Sequence, residues 1–381
     1  MARRYHGNVE YKTKTERLDA HKAADIERAA SILRRGGLVA FPTETVYGLA
    51  ANALSAEAVA KIFAAKQRPH WDPLIVHLCD LDMLAELTSL PILPLRERPS
   101  EGHRHADHSL RATRALIHRF WPGPLTLLLP RSERIPDAVT AGRPLVGLRM
   151  PSHSVARRLI ERAGVPLAAP SANRFGHTSP TTAAHVLADL DGRIDAVLDG
   201  GPTDVGLEST VAEVVPDGVI VYRAGAVDLQ TVGSHEEIGW VRAYEAPALT
   251  GTPESLPSPG VGLRHYAPRA RLILVGGVGA EELSRKRSPI DLSLVETIDR
   301  QALENKRVGV LLPDGWHAGG AQLIYRWGGW KDGETLARRL FAGLRELDDG
   351  GATVIVCPVP AMAGIGEAIR DRLGKAARIA D

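Results

Sequence analysis

A chain of 381 residues exceeds what one hydrophobic core ordinarily fills, so two domains are expected. The composition, 44% hydrophobic and 24% charged, is that of an ordinary soluble globular protein, and Lys plus Arg (47) barely exceed Asp plus Glu (45), which argues against a general polyanion binder. Cys79 and Cys357 form no CxxC pair, no apolar run reaches membrane-spanning length and Met1 to Lys12 lacks a signal-peptide core; disulfides, a Cys-rich zinc site and membrane insertion are not suggested, and a cytoplasmic setting is expected.

Ile26 to Leu33 has the period of an amphipathic helix closed by Gly36-Gly37, and Leu38 to Phe41 then reads as a buried strand ending in the polar loop Pro42-Thr43-Glu44-Thr45. Ser55 suits the N-cap of a helix whose apolar stripe, Val59, Ile62 and Phe63, continues into Lys66, so a cation ends an apolar face. Pro73 to Leu78 reads as a strand carrying His77, and Asp80 to Leu87 as a short helix. The stretch from Pro91 to Arg111 is polar and irregular, as expected of an inserted surface loop. Arg114 to Phe120 reads as helix and Leu125 to Leu129 as strand, and Leu145 to Leu148 as a strand that delivers Arg149 into a loop. A helix (Val155 to Ala163), a strand (Pro166 to Ala169), the loop Ser171-Ala172-Asn173 and a helix near Thr182 to Asp189 follow. Strands at Ile194 to Leu198, Val211 to Val215 and Val219 to Tyr222 bracket the loop Glu208-Ser209-Thr210, and Arg223 closes the last of them. The pattern is mixed α/β with polar residues gathered where strands end, the usual place for ligands in open sheets.

Residues 20–245 therefore form one predicted domain. Residues 246–269, rich in Pro and Gly and without apolar periodicity, read as a linker. In 270–381, Leu272 to Val275, Val308 to Leu312 and Thr353 to Val356 read as buried strands alternating with helices such as Glu334 to Leu347, a smaller Rossmann-like domain without a dinucleotide fingerprint.

Taken singly, the polar residues have ordinary explanations. Lys66 and Arg68 at a helix end complement its dipole, worth up to about 1 kcal/mol. Lys66 nevertheless sits on an apolar stripe, and a buried ammonium requires a partner, which a phosphate would supply. Arg149 has the fork that grips a carboxylate, although a surface ion pair is the commoner role of a lone arginine. His77 fits a hydrogen-bonded core position, and Ser171, Asn173 and Ser179 fit turns. His103, His105 and His108 fall in the polar insertion with no framework to hold them, so no metal site is assigned there. Ser171 lacks the Gly-x-Ser-x-Gly elbow of a hydrolase nucleophile.

Taken in order, the clusters PTETVYGL (42–49), KQRP (66–69), PLIVH (73–77), FWPGPLT (120–126), APSAN (169–173), EST (208–210) and PGVGLRHYAP (259–268) resemble the YrdC-type threonylcarbamoyl-AMP synthases in their long, two-domain form. The resemblance extends from about residue 20 to the C-terminus. It implies a YrdC-like twisted mixed open sheet with flanking helices, followed by the smaller Rossmann-like α/β domain. It also implies the joining of L-threonine, bicarbonate and ATP into threonylcarbamoyl-adenylate with release of pyrophosphate, with Mg2+ brought by the ATP. A downstream threonylcarbamoyl-transferase complex would then act on a tRNA adenosine beside the anticodon.

By motif match, Lys66, Arg68, Ser171, Asn173, Ser179 and Arg223 fall where the family binds ATP, with Lys66 and Arg68 as the catalytic cations. Tyr266 falls on the linker that closes over the nucleotide, and Thr43, His77, Arg149 and Ser209 fall where threonine is held. The chain departs from the family at Asp72, where Asn is usual, and at Phe175, Ala224 and Ala50. A negative charge at Asp72, near Lys66 and Arg68, would weaken triphosphate binding. Carbamoyl-adenylate chemistry of the hydrogenase-maturation type is an alternative that goes with zinc-finger cysteine pairs, absent from this sequence. A non-catalytic, RNA-binding translation-regulating module is the other; it lacks an aromatic stacking motif, with aromatics at 5%.

Overall fold

The protein is described from a computed structural model over residues 14–92, 104–245, 255–259, 266–276 and 289–378. In chain order the first unit comprises β1 (Glu16–Asp19), α1 (Ala23–Arg34), β2 (Val39–Phe41), β3 (Gly48–Asn52), α2 (Ala56–Lys66), β4 (Ile75–His77), α3 (Leu81–Leu87), α4 (Arg104–Phe120) and β5 (Leu125–Pro130). It continues through α5 (Asp137–Thr140), β6 (Leu145–Arg149), α6 (Ser154–Ala163), β7 (Leu167–Ala168), α7 (Ala183–Leu190) and β8 (Ala196–Asp199) to β9 (Thr210–Val215), β10 (Gly218–Arg223), α8 (Leu229–Gly233) and β11 (Trp240–Ala243). The strands form one mixed sheet in the order β1-β8-β2-β3-β7-β4-β6-β5-β9-β10-β11. One layer seats α1 and α6 through Ile26, Leu33, Leu159 and Ile160 against Val39 and Phe41; a second cluster packs Val59, Ile62 and Leu116 with Leu49, Val76 and Leu127. The expected twisted mixed α/β architecture is therefore present.

The second unit comprises β12 (Arg271–Val275), α9 (Pro289–Leu303), β13 (Val308–Pro313), β14 (Leu323–Gly328), α10 (Gly333–Asp349), β15 (Val354–Pro358) and α11 (Gly366–Ala376). Its four strands are all parallel, in the order β12-β15-β13-β14. Leu294 and Ile298 of α9 pack on Val308, Val310 and Val356, whereas Leu340, Leu344, Ile369 and Leu373 of α10 and α11 pack with Leu311 and Ile355. Helices on both faces explain why β13 and β15 read as unbroken apolar runs.

Two stretches differ from expectation. The supposed irregular insertion ending at Arg111 enters α4 at Arg104, because Ala112, Leu116 and Ile117 supply a helical stripe that is buried only once packed against the sheet. Residue 103 and the rest of 93–103 lie outside the described residues, so His103 cannot be placed; His108 lies on α4. Gly48 to Asn52, not assigned to a strand from the sequence, is β3: its small side chains carry little strand propensity, and ladders to β2 and β7 supply the stability instead. Of the expected linker, 255–259 and 266–269 are described, whereas 246–254 and 260–265 are not.

The two units meet directly. Val46 and Leu207 of the first share a core with Leu336, Leu340 and Phe341 of the second. At Gly206, with φ 78°, an added Cβ would lie 2.4 Å from the Arg338 Cα, so a bare backbone is needed where the loop before β9 passes α10. Among the described residues no helix is long and apolar enough to cross a membrane.

Candidate active site

Parallel pairing of β4 and β6 sets His77 opposite Arg149, so the two polar side chains that close those strands emerge together. Facing them is the loop from Pro42 to Tyr47, fastened to the Ser-Ala-Asn loop by Leu49 N–H to Pro170 O (2.8 Å), Ala172 N–H to Tyr47 O (2.8 Å) and a bridge between Gly48 and Ser171. The loop before β9 adds Glu208 and Ser209, and the end of β10 adds Arg223. Strand ends thus converge on a cavity of about 60 Å3, small beside the roughly 300–1,000 Å3 of ordinary ligand clefts.

Thr43, Arg68, His77, Arg149, Ser171, Ser209, Arg223 and Tyr266 line this cavity, with Thr45, Glu208 and Pro259. Eight of the sequence-derived site residues are thereby brought together. Lys66, Asn173 and Ser179 stand behind it rather than in its wall. The Lys66 ammonium, 1% exposed, donates to the carbonyls of Ser171 and Asn173, each at 2.5 Å; these carbonyls provide the partner that its burial demands. Burial, reinforced by Arg68, pushes its pKa well below the ordinary value. Asn173 donates to Arg174 O and His177 O, and Ser179 donates to Glu208.

Three buried carboxylates adjoin the cavity, and each faces a guanidinium: Glu44 with Arg149 at 2.7 Å, Asp72 with Arg68 at 2.8 Å and Glu208 with Arg372 at 2.7 Å. Burial alone would raise Glu44, yet the charge and hydrogen bond of Arg149 hold it below the usual carboxylate range. For Glu208, burial is likewise outweighed by Arg372, Arg223 and Ser179. Asp72 goes the other way, raised by complete burial in spite of Arg68, Lys66 and Arg223. Burial, with the positive charge of Arg149, lowers His77 to about 3, so the imidazole is neutral at physiological pH. Glu44, Glu208 and Arg372 were not singled out as site residues from sequence. The first two lie inside the PTET and EST strings, a usable signal; Arg372 lies in the far domain with no motif around it.

A larger groove of about 720 Å3 runs between the loop at Arg174 to Thr178 and α10. Its guanidiniums Arg345 and Arg269 pair with Asp189 at 2.7 Å and with Asp348 and Asp349 at 2.9 Å each; the smaller cavity holds, besides its own ion pairs, Arg223, whose guanidinium donates to the carbonyl and hydroxyl of Ser209, and is the better place for anionic chemistry.

A family described as "Telomere recombination" matches residues 31–225, and one described as "Threonylcarbamoyl-AMP synthase, C-terminal domain" matches 227–378. A threonylcarbamoyl-AMP synthase of Pyrococcus abyssi is 39% identical over 362 residues, covering 95% of each chain. The chain belongs to the threonylcarbamoyl-AMP synthase family. A synthase of Bacillus subtilis, 39% identical over 355 residues, covers 92% of each chain. The crystal structure of P. abyssi Sua5 complexed with L-threonine superposes with a TM-score of 0.81 at 38% identity, over 95% of this chain and 97% of that one. The synthase fold thus extends through both units, and the cavity is lined from the strings PTETVYGL, KQRP, PLIVH, APSAN, EST and PGVGLRHYAP.

No group of three His, Cys, Asp or Glu able to hold a metal occurs among the described residues, and the carboxylates nearest the cavity are occupied by arginines.

Proposed function

We propose that this cavity makes threonylcarbamoyl-adenylate and pyrophosphate from L-threonine, bicarbonate and ATP. The observation that carries the reading is the convergence of two chemistries on one small cavity. Arg149, His77, Thr43 and Ser209 suit an amino acid with a hydroxyl. Arg68, Arg223 and Ser171, in the same lining, suit phosphates, and Arg223 meets the first group by donating to Ser209.

Arg149, fixed by Glu44, Thr45 and Gly123 O, takes the threonine carboxylate, and Thr43 and Ser209 recognise its hydroxyl. The threonine amine, as the free base, attacks CO2 with release of a proton, or bicarbonate with release of water, and the carbamate oxygen then attacks the α-phosphorus as its bond to the pyrophosphate oxygen breaks and pyrophosphate leaves. Carbamates decompose in water, so orientation and exclusion of water dominate the catalysis. Transfer at phosphorus requires charge neutralisation rather than a covalent nucleophile; Arg68 and Arg223 supply it, with Mg2+ arriving on the ATP phosphates. Lys66, Asn173 and Ser179 act on the nucleotide through the loops they hold. Pro259 and Tyr266 line the cavity, and ATP enters so small a space only once these two side chains are displaced. The product passes to a threonylcarbamoyl-transferase complex that modifies tRNA, in the cytoplasm.

The test is pyrophosphate release in bicarbonate buffer with threonine, with serine and with neither. Release that needs threonine and bicarbonate together supports the reading. Equal release without threonine overturns it, and salt-sensitive RNA binding without turnover favours the non-catalytic alternative.

A further inference from the structure

Arg372 belongs to α11 of the second unit, yet its guanidinium is 1% exposed and reaches three partners at the rim of the cavity. Nε donates to Glu208 at 2.7 Å, one N–H group donates to the carbonyl of Ala224 at 2.9 Å, and the guanidinium carbon lies 5.0 Å from the centre of the Tyr266 ring. Each partner adjoins a cavity residue or is one: Glu208 precedes Ser209, Ala224 follows Arg223, and Tyr266 lines the wall. Tyr266 has φ 67°, a region costly for a side-chain-bearing residue, and stacks on Phe341 of α10 at 5.7 Å. The strain is held by contacts from the second unit. The neighbouring α11 residues Ile369, Leu373 and Ala376 are apolar and belong to the core cluster that also takes in Val46 and Leu207 of the first unit. A buried ion pair is a costly way to add glue, and apolar residues at 208 and 372 together would pack there without desolvating charge. What Arg provides and they do not is a planar fork that fixes several partners at once.

We infer that Arg372 is a positioning residue through which the second domain sets Tyr266, Glu208 and the Arg223 turn in the geometry the reaction requires. This rests on the proposed synthase reading. Glu208 also accepts from Ser179, so one buried carboxylate links α11 to the loop behind the nucleotide side. Asp371 at 2.5 Å and Lys375 beyond it keep the local charge balanced.

The experiment compares Arg372→Gln and Arg372→Lys with Arg345→Gln, which severs the interdomain ion pair at Asp189. The readouts are kcat for threonine-dependent pyrophosphate release, threonine affinity by calorimetry and thermal melting. Arg372→Gln is expected to lower kcat by about 100-fold, and Arg372→Lys, which keeps the charge but not the fork, by about tenfold. Threonine affinity should stay within about twofold in both, and Arg345→Gln should keep kcat within about twofold. In a Tyr266→Ala background, Arg372→Gln should cost little more, since residues acting as one unit are not additive. An equal loss in Arg345→Gln, additive losses in the double variant, or unchanged kcat in Arg372→Lys would overturn the inference. If Arg372→Gln does not fold, the Lys variant decides by the same criteria. Absence of threonine-dependent release in the unaltered chain would overturn the synthase reading and this inference with it, whereas normal release there with unaffected variants would overturn only this one.

Discussion

The guanidinium of Arg149 lies 2.7 Å from the carboxylate of Glu44, and both side chains are more than nine-tenths buried. The pair joins the end of β6 to the loop after β2, and Glu44 also accepts from the backbone of Ser152. Removing one partner would leave a buried charge alone, so Glu44→Ala is expected to destabilise the protein by about 3–5 kcal/mol in urea unfolding. It should also raise KM for threonine, because the fork that takes the carboxylate loses its orientation. A variant with unchanged stability and threonine KM would show that the pair neither holds the loop nor aims Arg149.

Asp72 lies 2.8 Å from Arg68 and is fully buried. Arg68 is held independently by the carbonyls of Asp72 and Pro73, at 3.2 and 2.9 Å. Asp72→Asn therefore keeps the side chain of Arg68 in place while releasing its charge toward a phosphate. KM for ATP is expected to fall by about three- to tenfold, equivalent to roughly 0.6–1.4 kcal/mol, with threonine KM unchanged. A rise in ATP KM would mean that Asp72 contributes to the nucleotide site rather than competing with it.

Lys66 donates to two loop carbonyls, so its loss acts on structure as well as on activity. In Lys66→Met each carbonyl left without a donor costs about 1–3 kcal/mol. Calorimetry should show a lowered melting temperature, and kcat for pyrophosphate release should fall with it. Normal melting and turnover together would contradict the bracing role.

His77 has a folded pKa lowered to about 3 from an ordinary 6.5. Between those values the unfolded chain binds the proton and the folded one does not. Stability from this group is therefore fully present above 6.5 and declines as pH falls toward 3. The slope in that window is about 1.4 kcal/mol per pH unit for one group. Glu44 and Glu208, both lowered, add to the loss only below their ordinary 4.5. Unfolding free energy measured from pH 6.5 to 5 should then fall in the unaltered chain and fall less steeply, by about that slope, in His77→Gln; identical slopes would refute a buried neutral histidine.

Much of this was legible in the residues themselves. Apolar periodicity placed the helix ending at Lys66 and the strands delivering His77, Arg149 and Arg223, because a buried stripe or an apolar run is a local property of the chain. Short strings such as PTETVYGL and APSAN carried the resemblance that implied the chemistry, and the residues by themselves placed polar groups at the strand ends. Local pattern could not supply what depends on contacts between distant segments. β3 is a strand only because β2 and β7 flank it, and α4 begins early only because its stripe meets the sheet. The same holds for charge: sequence placed Lys66 facing a phosphate, whereas folding closed the Ser-Ala-Asn loop over its ammonium and satisfied it with carbonyls. Arg372 has no neighbour in sequence that signals a site. Only the packing of the second domain against the first carries it to Glu208 and Tyr266, where desolvation makes a charge either paired or prohibitive.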